Sequence, residues 1–400
     1  AKAAPRSPLF AESMTEADRP PSPKQLLNTT GRPRHDGEQY HIYSLCSTMQ
    51  SERRGSGMTT ERLAGVEADM TKRISSAWPY MGAAAGTMLA CGMILAAGET
   101  IFSVTFDSQS NRSLFRNKSR SAFAQHDPAH RAAEDTQAQL WFEQTRHAEQ
   151  IRSYDGLKLH AWRFDANTAA PLPHTHAICM HGYTGGPEEM APWAYHYANL
   201  GMRVLVPAQR AHELSEGRFV GMGWLEREDL LRWVNSIVAR DPDARILLHG
   251  NSMGAATILD VCADPRLARN VVCAVVDSGF SSEYDQMLDS VSAMLHLPKW
   301  MAKPMVDCAS LVNRLSLGFG FRQANAIEQL HRTTLPILFI QGDQDDIVSP
   351  HMLGRLYTAC ASPVKARLQV HGAGHILGLT TDRNLYWSTV DAFLRRCLHM

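Results

Sequence analysis

The sequence has almost nothing that would mark it for a charged partner: forty Lys and Arg are cancelled by forty Asp and Glu in 400 residues. Without a basic excess there is no global field to gather nucleic acid, and there is no acidic tail. Metal-binding spacing is also missing. The eight cysteines, at 46, 91, 179, 262, 273, 308, 360 and 397, form no C-x-x-C pair, and the eighteen histidines supply no H-E-x-x-H. Several cysteines lie in apolar runs, such as Cys179 in AICM and Cys273 in VVCAVV, and read as buried free thiols. No structural metal and no organic cofactor is expected. No internal repeat is visible. With 44% hydrophobic and 20% charged residues, the composition excludes a collagen-like, wholly disordered, disulfide-scaffold or polytopic membrane protein. A single membrane span stays open, because an average over 400 residues hides a local run.

Length allows two or three domains at about 150 residues each, or one α/β domain of about 250 with extras. Residues 1–69 are poor in aliphatic and aromatic side chains and rich in Pro, Ser, Thr, Arg and Glu, so they are expected to be a disordered tail. Met70 reads as a natural start, with 1–69 a dispensable or over-extended segment. From Trp78 to Gly98 there are 21 residues without a charge, enough to cross about 30 Å of hydrocarbon as a helix. Lys72 and Arg73 precede it, which implies an N-inside anchor over 70–100 with the bulk of the chain outside. Arg112, Arg116, Lys118 and Arg120 on the far side weigh against that orientation. A cleaved signal near Ala96-Ala97-Gly98 and a buried soluble helix are the alternatives. A polar link is expected over 101–130.

From about 131 to 400 the pattern is that of one domain. LKLHAWRF alternates, and short apolar runs follow at AICMHG, RVLVPA, RILLHG, VVCAVVD, PILFIQGD and RLQVHG, separated by helix-length segments. Buried strands alternating with helices predict a mostly parallel sheet covered on both faces. The one irregular insertion, about 281–333, reads as a small helical cap. Its Met294, Leu297 and Trp300, with Tyr183, are expected to line an apolar acyl pocket. Leu295, Met301 and Met305 are further candidates there.

Gly250-Asn251-Ser252-Met253-Gly254 follows a strand and opens a helix. That setting exposes a serine hydroxyl at a helix N-terminus, and its partners should follow in the order acid, then histidine. GDQDDIVSP and GAGHILG stand after the last two strands in that order. His375 is the expected base, with His371 as competitor at a strand end. Asp345 is the expected acid; Asp343, Asp346 and Asp277 compete with it. The oxyanion donors should be the backbone N–H groups of Met253 and Tyr183, the latter in the glycine-rich loop His181-Gly182-Tyr183-Thr184-Gly185-Gly186. His181 is expected to hold that loop.

HGYTGGPEEMAPWA, VPAQRAHELSEGRFVGMGWLEREDL, LHGNSMGAATILD, FIQGDQDDIVSP and GAGHILG resemble the α/β-hydrolase superfamily. They are more closely similar to the membrane-anchored serine hydrolases common in Gram-positive bacteria. The resemblance spans about 100–398. It implies the α/β-hydrolase fold, Ser252 as nucleophile, Asp345 and His375 as its partners, and Tyr183 and Met253 as oxyanion donors. One departure stands out: where those proteins carry Gly after Arg-Ala-His, this chain has Glu213, which is expected to strain or reshape that turn. Arg210 and His212 read as scaffold.

The expected activity is hydrolysis of a short- to medium-chain carboxylic ester through an acyl-enzyme, with a small-molecule ester and a membrane, and no nucleic acid, as partners; the sequence does not set the oligomeric state. A serine peptidase of the prolyl-oligopeptidase type shares the machinery but needs an acidic site for a substrate amino terminus, and the sequence offers no identifiable pair. A catalytically silent, membrane-tethered binding protein is the third reading.

Overall fold

The computed structural model describes residues 60–116 and 133–398. Positions 1–59 of the expected tail, 117–130 of the expected link and 131–132 lie outside the described residues. The chain divides into two units, Ala1–Ala84 and Ala85–Met400. The first contributes the opening turns of helix α1 (Thr60–Thr105); the second holds the rest of α1 and all that follows. The helix begins ten residues before Met70 because TERLAGVEADMTKR is built of good helix formers. Among the described residues one stretch, Thr87–Thr105, is long and apolar enough to cross a membrane.

Beyond Gly98 the structure differs from the expected polar link. Phe102 and Phe106 are buried, and Phe106 stacks on Phe321 with ring centroids 5.2 Å apart. Arg218 then grips the Asp107 carboxylate through Nε (3.0 Å) and Nη2 (2.7 Å), which holds that carboxyl below the usual carboxylate range. The amide of Val220 donates to the Phe106 carbonyl at 2.9 Å. Ile101, Phe102, Val104 and Phe106 continue the apolar pattern past Glu99, and the polar run begins only at Asp107, so a link read over 101–130 from that polar run misses them.

After α2 (Ala133–Thr145) comes an eight-stranded sheet. Its strands are β1 (His147–Arg152), β2 (Lys158–Phe164), β3 (Thr175–Met180), β4 (Arg203–Pro207), β5 (Arg245–Asn251), β6 (Val271–Asp277), β7 (Ile337–Gly342) and β8 (Lys365–Val370). They lie in the order β1-β2-β4-β3-β5-β6-β7-β8; β1 and β2 run antiparallel and β3 to β8 are parallel. Strand β1 (HAEQIR) escaped the sequence reading because it is a polar edge strand without an apolar run.

Both faces of the sheet are covered, which is why the central strands read as continuous apolar runs. Ala177 and Cys179 of β3 face a core with α2, α3 (Ala191–Asn199) and the terminal helix. Ile178 and Met180 face another with α4 (Glu226–Arg240) and α5 (Met253–Val261). Between β6 and β7 the cap is helical as expected: α6 (Glu283–Leu295), α7 (Lys299–Leu317) and α8 (Ala326–Leu330). The chain closes with α9 (His351–Ala359), α10 (Gly378–Thr381) and α11 (Arg383–Leu398). The described cysteines are all free thiols, with Cys179 and Cys273 buried.

Three carboxylates, Glu226, Asp260 and Glu283, are buried within electrostatic reach of one another beside Arg227. Glu226 accepts from the amides of Gly221 and Gly223 at 2.8 and 2.9 Å, whereas neither Glu283 oxygen has a partner. Burial pushes the Asp260 carboxyl up to about 8 and holds that of Glu283 well above its ordinary value. The folded chain therefore keeps protons that the unfolded chain releases from about pH 4 upward. Stability is expected to fall as pH rises from about 4 to about 8, by up to roughly 1.4 kcal/mol per pH unit for each such proton. Urea unfolding at several pH values should show a shallower fall for Glu283→Gln than for the wild type; an unchanged slope would remove Glu283 from the account.

Candidate active site

The candidate side chains collect where the parallel strands end, the edge at which α/β sheets bind ligands. Strand β5 turns into α5 at Ser252, whose backbone takes φ +53° and ψ −113°. A non-glycine residue there is strained by about 1 kcal/mol or more. The turn is held by the Ser252 amide donating to the Asp277 carbonyl of β6 at 2.8 Å. It also requires Gly254: a Cβ at that position would stand 2.2 Å from the Met180 carbonyl oxygen of β3. The reward for this geometry is a hydroxyl directed out of the strand, with the amides of the first α5 turn free of intrahelical acceptors.

His375, in the loop after β8, reaches this hydroxyl with Nε2 2.9 Å from Ser252 Oγ. Its Nδ1 lies 2.8 Å from Asp345 Oδ2. A carboxylate only accepts, so Nδ1 carries the proton and Nε2 is left to accept from the serine. Asp345 is buried and fixed from its other side: Oδ1 accepts from the amides of Ile347 (3.0 Å) and Val348 (2.8 Å). Gln341 Nε2 lies 3.4 Å from Oδ2 and donates to the Val348 carbonyl at 2.7 Å. No feature of the sequence singled out Gln341. Hydroxyl, imidazole and carboxylate form one hydrogen-bonded series, the arrangement in which a serine can be deprotonated as it attacks a carbonyl.

The competing residues are engaged elsewhere. His371 is 94% exposed on its side chain and pairs with Asp343 at 2.6 Å, a second His–Asp couple that stands in solvent. Asp346 is exposed. Asp277 is buried behind the serine, where its carboxylate accepts from Tyr386 Oη at 2.9 Å and from Ser278 Oγ at 3.0 Å. Burial pushes it up to about 6. Ser278 Oγ in turn accepts from the Ile376 amide at 3.1 Å, tying β6 to the histidine loop.

The loop after β3 packs over this centre. His181 is fully buried; its Nδ1 donates to the Gly182 carbonyl at 2.8 Å and its Nε2 accepts from the Gln209 amide at 3.0 Å. Burial depresses it to about 3, so it is a neutral brace. Met253 opens α5, so its amide belongs to the turn whose N–H groups lack intrahelical acceptors. Tyr183 is next in the loop, and its ring does more than flank the sheet. Its hydroxyl donates to the Thr105 carbonyl at 2.6 Å, and its ring meets Phe115 edge-on at 5.0 Å. The loop is thereby fastened to the last turn of α1, a contact across 78 residues that no local pattern signals.

Arg210 lies buried between Asp229, which it binds through Nε and Nη2 at 2.7 Å each, and Asp155 at 3.1 Å. His212 is buried, depressed by burial to about 4, and donates from Nδ1 to the Arg210 carbonyl. Glu213 holds φ +47°, so the left-handed turn persists without glycine.

The cap corrects one expectation. Met294 and Trp300 are 66% and 74% exposed, too open to wall a site whose serine is 8% exposed. Leu297 is half-buried between α6 and α7. Helical spacing marked apolar residues on both sides of these helices and could not tell inside from outside. The inward side is instead Met287, Val291, Ala302, Val306 and Ala309, packed with Met222, Phe280 and Met253, and with Tyr183 at the edge. Among the described residues no three His, Cys, Asp or Glu side chains converge so as to hold a metal ion.

Comparison with known proteins agrees with this architecture. The chain is 27% identical over 223 residues to the uncharacterized protein YqkD of Bacillus subtilis (strain 168), covering 56% of this chain and 71% of that one. It is 25% identical over 222 residues to the thermostable monoacylglycerol lipase of Bacillus sp. (strain H-257), covering 52% and 84%. Among solved structures, an esterase of Pyrococcus furiosus superposes with a TM-score of 0.51 at 22% identity, over 63% of this chain and 91% of that one. Residues 177–384 match the profile of the Alpha/beta hydrolase family, a span that runs from β3 through the histidine loop into α11. With sheet order, strand–turn–helix serine and profile in agreement, the chain belongs to the alpha/beta hydrolase family.

Proposed function

We propose that the chain is a serine hydrolase of carboxylic esters, with an apolar acyl group of short to medium length, tethered to a membrane by α1. The observation that carries the reading is the unbroken series Ser252 Oγ–His375 Nε2 (2.9 Å) and His375 Nδ1–Asp345 Oδ2 (2.8 Å). Ser252 Oγ bonds to the ester carbonyl carbon as its proton passes to His375 Nε2. The amides of Met253 and Tyr183 receive the oxyanion. His375 then gives that proton to the departing alkoxide, and the acyl-enzyme is left. Water attacks the acyl carbon next, losing its proton to the same imidazole, which passes it to Ser252 Oγ as the acyl–Oγ bond breaks, releasing the acid and restoring the serine. Asp345 keeps the imidazole in its Nδ1–H tautomer and stabilises its charged form.

Two further observations support an apolar ester. The cap's inward side gathers Met222, Phe280, Met287 and Val291 into the cluster that contains Met253, next to the serine. A curated relative at 25% identity is a monoacylglycerol lipase. For the tether, the support is the apolar helix itself, with Lys72 and Arg73 before its uncharged run. The test is a series of p-nitrophenyl esters of rising chain length beside peptide p-nitroanilides. Ester turnover that peaks at short to medium chains is expected, with no peptide turnover; peptide cleavage without ester cleavage would overturn the substrate class.

A further inference from the structure

The outward side of the cap is apolar, and its position relative to α1 says what it meets. At about 100° per residue, Trp300, Pro304, Leu311 and Leu315 fall within roughly 60° of one another on α7. Trp300 and Leu315 are 74% and 79% exposed, and Leu311 is 52% exposed. The exposed Met294 and Leu295 at the end of α6 and Met301 at the start of α7 extend this surface around the corner between the two helices. Lys299, Lys303 and Arg314 flank it with long, exposed side chains, Lys299 paired with Asp289 at 2.5 Å and Lys303 with Asp307, on the same flank, at 2.6 Å.

Helix α1 touches α7 at the border of that stripe. A Cβ on Gly98 would stand 2.6 Å from Cys308 Sγ and 2.9 Å from the Ala309 amide nitrogen, so only glycine permits the approach. Cys308 follows Pro304 by four residues and precedes Leu311 by three, beside the stripe on the helical wheel. Gly98 is also the last residue of the uncharged run that follows Arg73, and Glu99 is the first charge after it. Past this point Phe102 and Phe106 are buried in the protein, so they are not in contact with lipid. A span formed by α1 must therefore end close to Gly98, and whatever touches Gly98 lies at the level of the lipid headgroups.

We propose that the outward face of α7, with the α6–α7 corner, rests on the surface of the membrane that α1 enters. This inference depends on the tether proposed above. A tryptophan at the leading edge and lysines and an arginine along the flank are the composition of a helix lying in a membrane interface. Thr105, which accepts from the Tyr183 hydroxyl, is seven residues beyond Gly98, about 10 Å along the helix. The loop beside Ser252 is thus held about that far above the lipid, and an acyl ester can pass from the bilayer to the serine without crossing bulk water.

The test uses the full chain reconstituted in phosphatidylcholine vesicles with and without brominated acyl chains. Flotation reports the tether, and the emission difference between wild type and Trp300→Phe isolates Trp300 from the other tryptophans. That difference is expected to fall by about half in brominated vesicles. A chain that floats while the Trp300 emission is unquenched overturns the docking and leaves the tether standing. A chain that does not float overturns both. Unquenched, blue-shifted Trp300 emission in a cross-linkable dimer would assign the face to a second copy of the chain, and it too would overturn the proposal.

Discussion

Ser252→Ala is expected to lower kcat on a p-nitrophenyl ester by on the order of 10⁵–10⁶-fold, close to the uncatalysed rate plus what binding and the oxyanion donors retain. The size follows from the geometry. The hydroxyl is the only atom of the series that can bond to substrate, and it is the group that His375 Nε2 meets, at 2.9 Å. Steady-state kinetics, with thermal unfolding as the control for folding, measure it directly. Folding should survive with little change in stability, because wild-type Ser252 already bears the strain of φ near +53° and alanine bears about the same. A fluorophosphonate probe should label the wild type at Ser252 and leave the variant unlabelled. Equal turnover by the two proteins would remove the nucleophile from the proposal.

The second large effect separates two His–Asp couples that look alike in sequence. Asp345→Asn is expected to lower kcat about 10⁴-fold, because an amide in place of the carboxylate favours the wrong imidazole tautomer. Asp343→Asn should change kcat by less than about twofold, since its partner His371 stands in solvent and exposed pairs are worth little. Asp277→Asn tests the buried carboxylate behind the serine. It loses no contact to His375 but weakens the acceptor for Tyr386 and Ser278, so stability should fall more than kcat. If Asp343→Asn were the inactive variant, the assignment of the acid would be overturned.

The legible part of the site was local. Ser252 stands out because G-x-S-x-G falls between a buried apolar strand and a helix, and His375 and Asp345 follow because each lies in a loop after a strand of the same sheet. Choosing Asp345 over Asp343 rested on loop position and on the family resemblance. In the structure the Ile347 and Val348 amides turn back onto Asp345, and its other oxygen faces His375. The pocket residues were less legible. Met294 and Trp300 carry the same apolar signal as Met287 and Val291, and only packing assigns one pair outward and the other inward.

Fold class was written in the sequence because strands buried on both faces must be apolar throughout and the helices covering them must be amphipathic, both of which are local patterns. The serine turn was written there too, since its backbone tolerates only glycine at Gly254. What tertiary structure alone decided is how α1 meets the domain. Its last turn donates nothing recognisable to the sequence pattern, yet Gly98 abuts Cys308, Phe106 stacks on Phe321 and Thr105 accepts from Tyr183. Contacts between residues 78 to 215 positions apart leave no periodicity behind, so Thr105 and Phe106 join the domain that holds the candidate site without a local signal.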